Sequence, residues 1–541
     1  MRVATPVSAG VLENWSMAKG YRPLLRDQGF LLPPDMREWL PADHLVWFLL
    51  DTIEALDTTK FDRRRRGGVG AAGYDPRMLL GLLIYAYCRG VRSSRQIERL
   101  CVTDVAYRVL CAQDVPDHCT IARFRAECRD AFTGLFQQVL MVAAQAGLGN
   151  FAIVAIDGTK IAANASIDAN RGGVWLTDQV AAMVGEAEQA DAGEDAEASA
   201  GRERADGDRV PAGWGSQPDR ARRIRRAAEQ VAEQLRREQA GDDARTAAAK
   251  ARRERSEAGQ PVVGRIPAGP HRLAEAQAHL AREIIMHQAK LDRRASLIAA
   301  GKKPAGQPPV PMERHSRIIR TRRAVQAALD AEQAAAAIPA GNATLPKTVA
   351  NITDPESRLM PTRKGFLQGF NAQLAVTADQ IIAAVAIGQS SNDIASLVPM
   401  MQASTAAAAV LHAQTGLPEH IVGVVLADAG YCSEANLAAP GPDRLIALNK
   451  NRKQAQAARE EPTTGQPPPD AAPRQAMDHR LRTAQGSALY KRRGATVEPG
   501  IGNLKKILDR FSRRGLDNAR SELHLAASAF NLLKIHRAAT N

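Results

Sequence analysis

Aromatic residues make up only 4% of the chain, and no run reaches the roughly 18–20 uninterrupted apolar residues that span a bilayer. A membrane-embedded protein is therefore not expected. The cysteines, Cys88, Cys101, Cys111, Cys119, Cys128 and Cys432, include no CxxC pair, which leaves no ribbon-type zinc site or dithiol redox motif. Five of them fall in expected helices or their connections, where small buried thiols are common, and they read as reduced. The opening MRVATPVSAGVLENW lacks the compact apolar run and small-residue cleavage site of a secretory signal, so a cytoplasmic location is expected. No internal repeat is present.

What the chain does have is length, a globular apolar fraction and positive charge. At 541 residues with 45% hydrophobic residues it should divide into several domains. Its net charge of +14 and pI of about 9.7 favour a polyanionic partner, because each Lys or Arg set against a phosphate releases condensed counterions. Ribosomal, membrane-surface and nuclease proteins share this property, so charge alone does not choose among them.

The pattern changes several times along the chain. Residues 1–70 form an N-terminal segment that ends on the basic run Arg63–Arg66. Residues 71–149 read as an all-helical domain. In YDPRMLLGLLIYAYCRG, Asp75 caps a helix with Pro76 in its first turn, and Gly90 ends it. A later helix begins at Asp117, with His118 as a capping or core residue. From Asn150 the run FAIVAIDG has the look of a buried strand. Residues 172–345 turn to Ala, Arg, Glu and Gln and read as a helical, partly disordered insertion outside the sheet. GFNAQLAVTADQIIAAVAIG then reads as a hairpin turning at TADQ, followed by a helix and two buried strands, IVGVVLADAG and DRLIALN. Residues 450–486, rich in Pro, Gln and Ala, look like a loose excursion before two final helices.

Two carboxylates stand at the ends of apolar runs. Asp157 closes VAI before Gly158, and Asp428 closes VVLA before Ala429 and Gly430. An Asp at a strand exit, followed by glycine, can meet a ligand, and a pair of such ends suits a hard divalent cation. Strand-end Asp residues also cap turns, and that reading stays open for each. Asp354 and Glu356 in TDPES and Asp393 in SSNDIA either support such a site or cap, and capping is the expectation. Glu498 precedes Pro499, which is tolerated in a helix's first turn, so the spacing predicts a helix starting near Glu498. Ile501, Leu504, Leu508 and Phe511 would be its packing stripe, with Lys505 two turns beyond Glu498 on the same face.

These segments resemble DDE-type insertion-sequence transposases of the RNase-H-like, retroviral-integrase-like superfamily. The likeness runs through YDPRMLLGLLIYAYCRGVRSSRQIE, PDHCTIARFR, AIDGTKIAANAS, TDPESRLM, KGFLQGFNAQLAV, LADAGYCSEAN and YKRRGATVEPGIGNLKKILDRF, in the family's order. It implies an α+β fold in which residues 150–541 form an RNase-H-like mixed-sheet catalytic domain, interrupted by the helical insertion after the first strand. It also supplies Glu498 as the third acid beside Asp157 and Asp428. Together they would be catalytic residues holding two Mg²⁺ ions, with Mn²⁺ a substitute. Tyr490, Arg493, Glu498 and Lys505 fit the family's Tyr-Arg-Glu-Lys signature, with one extra residue between Arg and Glu, which leaves Arg492 as a rival to Arg493. Both arginines and Lys505 would contact phosphate, and Tyr490 would stack on a base or pack. In the helical domain Arg92, Arg95, Arg123 and Arg125 are candidate phosphate contacts, against a purely packing or dimerising role. The implied activity is metal-dependent DNA cleavage and strand transfer. The implied partners are double-stranded terminal inverted repeats, target DNA and a second copy of the chain. A decayed DNA-binding regulator and a nuclease without strand transfer are the alternatives.

Overall fold

The computed structural model describes residues 35–62, 73–183, 217–258, 260, 271–304, 306–336, 348–449 and 451–540. The Arg63–Arg66 run, the acidic stretch of the insertion and nearly all of the 259–270 segment lie outside the described residues.

The helical region begins with α1 (Leu45–Ala55), followed by α2 (Pro76–Cys88), α3 (Ser94–Thr103), α4 (Val105–Leu110), α5 (His118–Glu127) and α6 (Ala131–Gln145). The expected caps are in place. Asp75 accepts from the Arg77 amide with Pro76 in the first turn, and Asp117 accepts from the amides of Cys119 and Thr120. Gly90 takes the left-handed conformation just beyond α2, where a β-carbon would be strained. His118 sits in the first turn of α5 with its Nδ1 2.9 Å from Glu98 Oε2.

The sheet comprises β1 (Ile153–Ala162), β4 (Arg358–Thr362), β5 (Gly365–Thr377), β6 (Ile382–Gly388), β7 (Val424–Ala427) and β8 (Asp443–Ile446). Its order is β4-β5-β1-β7-β8, and β6 joins the same outer edge of β5 as β4, further along that strand. β1, β7 and β8 are mutually parallel, and β5 is antiparallel to β1. Val154, Ala155 and Ile156 of β1 and Val425, Leu426 and Ala427 of β7 are wholly buried, as continuous apolar runs in parallel strands require when both faces are covered. The 378–381 turn between β5 and β6 falls at the expected TADQ.

Of the insertion, α7 (Gln217–Glu257), α8 (Arg272–Ala299) and α9 (Ser316–Ala336) are described. At its root β2 (Asn170–Gly172) pairs with β3 (Val349–Asn351) in a separate two-stranded sheet. Among the described residues of 172–345, none adds a strand to the main sheet.

After β6 comes α10 (Leu397–Thr415). Its stretch 394–415 is the one described helix long and apolar enough to cross a membrane, yet Leu397, Met400, Met401, Ala408 and Leu411 are buried where it packs on β6 and α6. The 450–486 stretch is more ordered than its composition led one to expect. It contains α11 (Asn451–Glu460) and α12 (Pro473–Arg482), both of which pack on α13 (Ala484–Ile507).

The last helix, α14 (Leu516–Thr540), is buried almost all round between Ala519 and Leu532 and lies between the helical region and the sheet, touching α2, α6 and β6. Its polar residues are matched. Glu522 Oε1 accepts from the Tyr87 hydroxyl at 2.9 Å and from Ser512 Oγ at 2.7 Å. The Asn531 amide both donates to and accepts from the backbone of Ile382, each at 2.9 Å, and so satisfies an edge strand that would otherwise be open. The TDPES acids cap this helix, as expected: Asp354 accepts from the Gly515 amide and Glu356 from the Leu516 amide.

Candidate active site

Sheet register brings Asp157 and Asp428 together. Ile156 of β1 is paired with Ala427 of β7 in the last rung between those strands, so Asp157 and Asp428, each one residue further on, stand at the same level. Asp428 leaves its strand as expected, but Asp157 does not, because β1 runs on to Ala162 and Asp157 lies within it, opposite Leu374 of β5. Each also bonds a nearby amide. Asp157 Oδ1 accepts from the Gly158 amide at 2.8 Å, and Asp428 Oδ1 accepts from the Gly430 amide at 2.8 Å. The capping reading therefore holds for one oxygen of Asp428, whereas Asp157 caps no turn, since the amide it meets is the next one of its own strand.

The second oxygen of Asp157 receives Nη1 of Arg493 at 3.0 Å. Burial pushes the Asp157 carboxyl above the usual range, Arg493 pulls it back, and the charge of Asp428 pushes it up further. Arg493 is itself buried. Helix periodicity explains why this arginine and not Arg492 reaches the acid. Tyr490, Arg493, Val497, Gly500 and Leu504 form the buried face of α13, whereas Arg492 is exposed. A β-carbon at Gly500 would stand only 3.2 Å from Val376 Cγ2, so the glycine lets the helix approach β5 closely.

Glu498 stands differently. The helix starts at Ala484 rather than near Glu498, which corrects the expectation from Pro499. Pro499 lies inside the helix, where it removes the N–H that would have bonded the Ala495 carbonyl. That carbonyl instead accepts from the Gln380 side-chain amide at 3.5 Å, a partner supplied by the β5–β6 turn and invisible to local sequence. The Glu498 carboxylate is exposed and folds back along its own helix, with Oε1 3.2 Å from the place a β-carbon on Gly494 would occupy. Among the described residues no three His, Cys, Asp or Glu side chains stand close enough to close on one ion.

Other expected residues divide. Lys505 is exposed on the helix, free to meet a phosphate. Tyr490 is buried and, with Lys491, Arg493 and Gln454, lines a cavity of about 220 Å³. In the helical region Arg95 and Arg123 are exposed. Arg125 is not. It is buried, with Nη1 donating to the Arg92 carbonyl at 2.8 Å, so this candidate DNA contact is corrected to a residue that ties α5 to the α2–α3 loop. Arg92 is likewise engaged, with Asp509 and the Arg510 carbonyl.

Sequence reading missed a polar cluster beneath the aspartates. Asn371 and Gln373 of β5 are buried, and their amides donate to Asp393 Oδ1 at 2.7 and 2.6 Å. The hydroxyl of the wholly buried Tyr431 donates to Gln373 Oε1. Burial pushes the Tyr431 hydroxyl far up, and the charges of Asp393, Asp157 and Asp428 add to it. The available signal was the pair of amides in the otherwise apolar strand GFNAQLAV, since buried polar groups need partners.

Comparison with known families matches both helical parts of the chain. Residues 34–127 match the family model described as Transposase domain (DUF772), and residues 452–536 match the model described as Transposase DDE domain. The first covers α1 to α5. The second covers Tyr490, Arg493, Glu498 and Lys505, while Asp157 and Asp428 lie between the two. No curated protein and no solved structure matches the chain. The two matches, in order, bear out the resemblance to DDE-type insertion-sequence transposases.

Proposed function

We propose that this chain, which carries the two domains of an insertion-sequence DDE transposase, cleaves DNA at the ends of its element and joins the freed 3′ ends to target DNA. The observation that carries the reading is the adjacency of Asp157 and Asp428 on neighbouring parallel strands, beside a helix that brings Arg493 onto the first of them. The strand order β6-β5-β1-β7-β8, with the last three parallel, supports an RNase-H-like core.

The donor chemistry fits a hard divalent cation, because two carboxylates stand at one level on neighbouring strands and one buried arginine offsets part of their charge. Asp157 and Asp428 would hold such an ion, with Glu498 joining them from α13 once DNA is bound. Mg²⁺, two ions in the full site, would polarise the phosphate and activate the attacking water or 3′-hydroxyl.

The chain's own residues do the positioning. Arg493, buried and fixed by Asp157, would place a positive charge beside the phosphate that the cation holds. Exposed Lys505 lies two turns along the helix from Glu498 and meets the backbone of the same strand. Arg95 and Arg123 extend the phosphate contacts on the helical region. Tyr490 is packed at the edge of the neighbouring cavity, which favours its packing role over open stacking.

Purified protein incubated with its element's end sequences should nick them only when Mg²⁺ or Mn²⁺ is present, and should join a pre-cleaved end to plasmid DNA. Asp428→Ala should abolish both reactions and leave metal-free DNA binding equal or slightly tighter. Cleavage without joining would identify a nuclease. Binding without either reaction would identify a regulator of the element.

A further inference from the structure

Glycine follows each of the two aspartates closely, as Gly158 after Asp157 and as Gly430 two residues after Asp428. Neither has positive φ, so backbone freedom does not account for them. Space does. A β-carbon on Gly158 would lie 2.4 Å from Asp393 Oδ1 and 2.5 Å from Gln373 Nε2, distances no side chain tolerates. A β-carbon on Gly430 would lie 2.9 Å from Asp428 Oδ1 and 3.7 Å from Asp393 Oδ2. The two glycines thus leave room for Asp393, from the loop after β6, beside the middle of β1 and the exit of β7.

The partners of Asp393 are unequally divided. Asn371 and Gln373 both donate to Oδ1, while among the described residues no donor reaches Oδ2, the oxygen that faces Gly430 and Asp428. A carboxylate pinned by two amides on one oxygen and left open on the other is oriented for a cation on the open side. The capping role expected of Asp393 is absent, since its side chain bonds no amide of the turn it precedes. Charge points the same way. Asp157, Asp393 and Asp428 share one neighbourhood around Tyr431, and Arg493 pairs directly with Asp157.

Resting on the reading of Asp157 and Asp428 as cation ligands, the geometry points to Asp393 as a further carboxylate of that site, acting through Oδ2 on the ion's water shell. Mg²⁺ commonly keeps several waters and takes only one or two carboxylates directly. An acid set back from direct ligand distance is therefore suited to bind those waters.

The test is Mn²⁺ binding to the full DNA-free chain, followed by the electron paramagnetic resonance signal of the free ion. Asp428→Asn should lose binding. Asp393→Asn keeps an oxygen for the two amides but replaces the open oxygen with a donor, and it should weaken binding about tenfold. Asp130→Asn, which removes an exposed carboxylate of the helical region, should leave binding within about twofold. If Asp428→Asn loses binding while Asp393→Asn binds like the wild type, Asp393 is not part of the site, although the aspartate pair stands. A wild type that binds no Mn²⁺, or an Asp428→Asn that still binds, removes the pair and Asp393 with it. Circular dichroism checks the fold of each variant. If Asp393→Asn fails to fold, Asp393→Ser carries the same expectation and the same refutation.

Discussion

Arg493 donates from Nη1 to Oδ2 of Asp157 across 3.0 Å, joining α13 to β1 through two side chains that are each largely removed from solvent. Residues 336 positions apart in sequence are thereby held in one charge pair. Removing the arginine strands a carboxylate that burial already disfavours. Arg493→Ala should cost about 2–4 kcal/mol in urea unfolding, whereas exposed Arg492→Ala should stay within about 0.5 kcal/mol. Equal effects of the two would show that the pair does not hold the helix to the sheet.

The rung missing at Pro499 gives a coupled prediction. Gln380→Ala should destabilise the wild type by about 0.5–1.5 kcal/mol, because the Ala495 carbonyl loses its donor. In a Pro499→Ala background the helix supplies that donor itself, and the same substitution should cost clearly less. A double-mutant cycle read from urea midpoints measures the difference. Additive costs would mean that the Gln380 contact contributes nothing.

Acid should loosen the packing of α14 on α6. Burial holds the His524 imidazole below its ordinary 6.5, with the ring edge-on to Phe136 at 5.7 Å. A group with a lowered folded pKa is neutral in the fold and takes up its proton more readily once unfolded. Its contribution is therefore complete above about pH 6.5 and is lost as pH falls through the folded value. Melting temperatures measured from pH 8 to 5 should drop for the wild type. They should drop less steeply for His524→Phe, which has no proton to gain there.

DNA affinity should depend steeply on salt. Each phosphate neutralised should lower log K by roughly 0.9 per tenfold rise in salt, and Lys505→Ala should reduce the total slope by about one such unit. Fluorescence anisotropy on a terminal-repeat duplex between 50 and 200 mM salt tests both statements. An unchanged slope for the variant would remove Lys505 from the phosphate contacts.

Much of the scaffold was legible because its signals are local. FAIVAIDG and VVLADAG are uninterrupted apolar runs ended by Asp, and the hairpin turned where TADQ interrupts two β-type segments. The caps at Asp75 and Asp117 are bonds to backbone amides only two or three residues away. What escaped depended on distant partners. Nothing near Pro499 announces that Gln380 will cover the Ala495 carbonyl, so the helix was expected to start some fourteen residues too late. The choice between Arg492 and Arg493 needed the helix phase, which the buried Tyr490, Val497 and Gly500 set only once the helix rests on β5. Arg125 looked like one more surface cation until the α2–α3 loop closed over it. Asp393 was visible as a polar residue, but its proximity to Gly158 arises from a strand pairing in the third dimension.

Placing α14 between the helical region and the sheet has a consequence for how the chain is made. Tyr87 waits for Glu522, and the edge of β6 waits for Asn531, so neither half can finish its interior before residues 516–540 have been synthesised. Until then α2 and α6 present an apolar face with nothing to cover it, the state in which large chains aggregate or are captured by chaperones. A protein shortened ahead of Leu516 would lose the wedge between its two halves. It should therefore accumulate as insoluble or rapidly degraded material rather than as a soluble DNA-binding fragment.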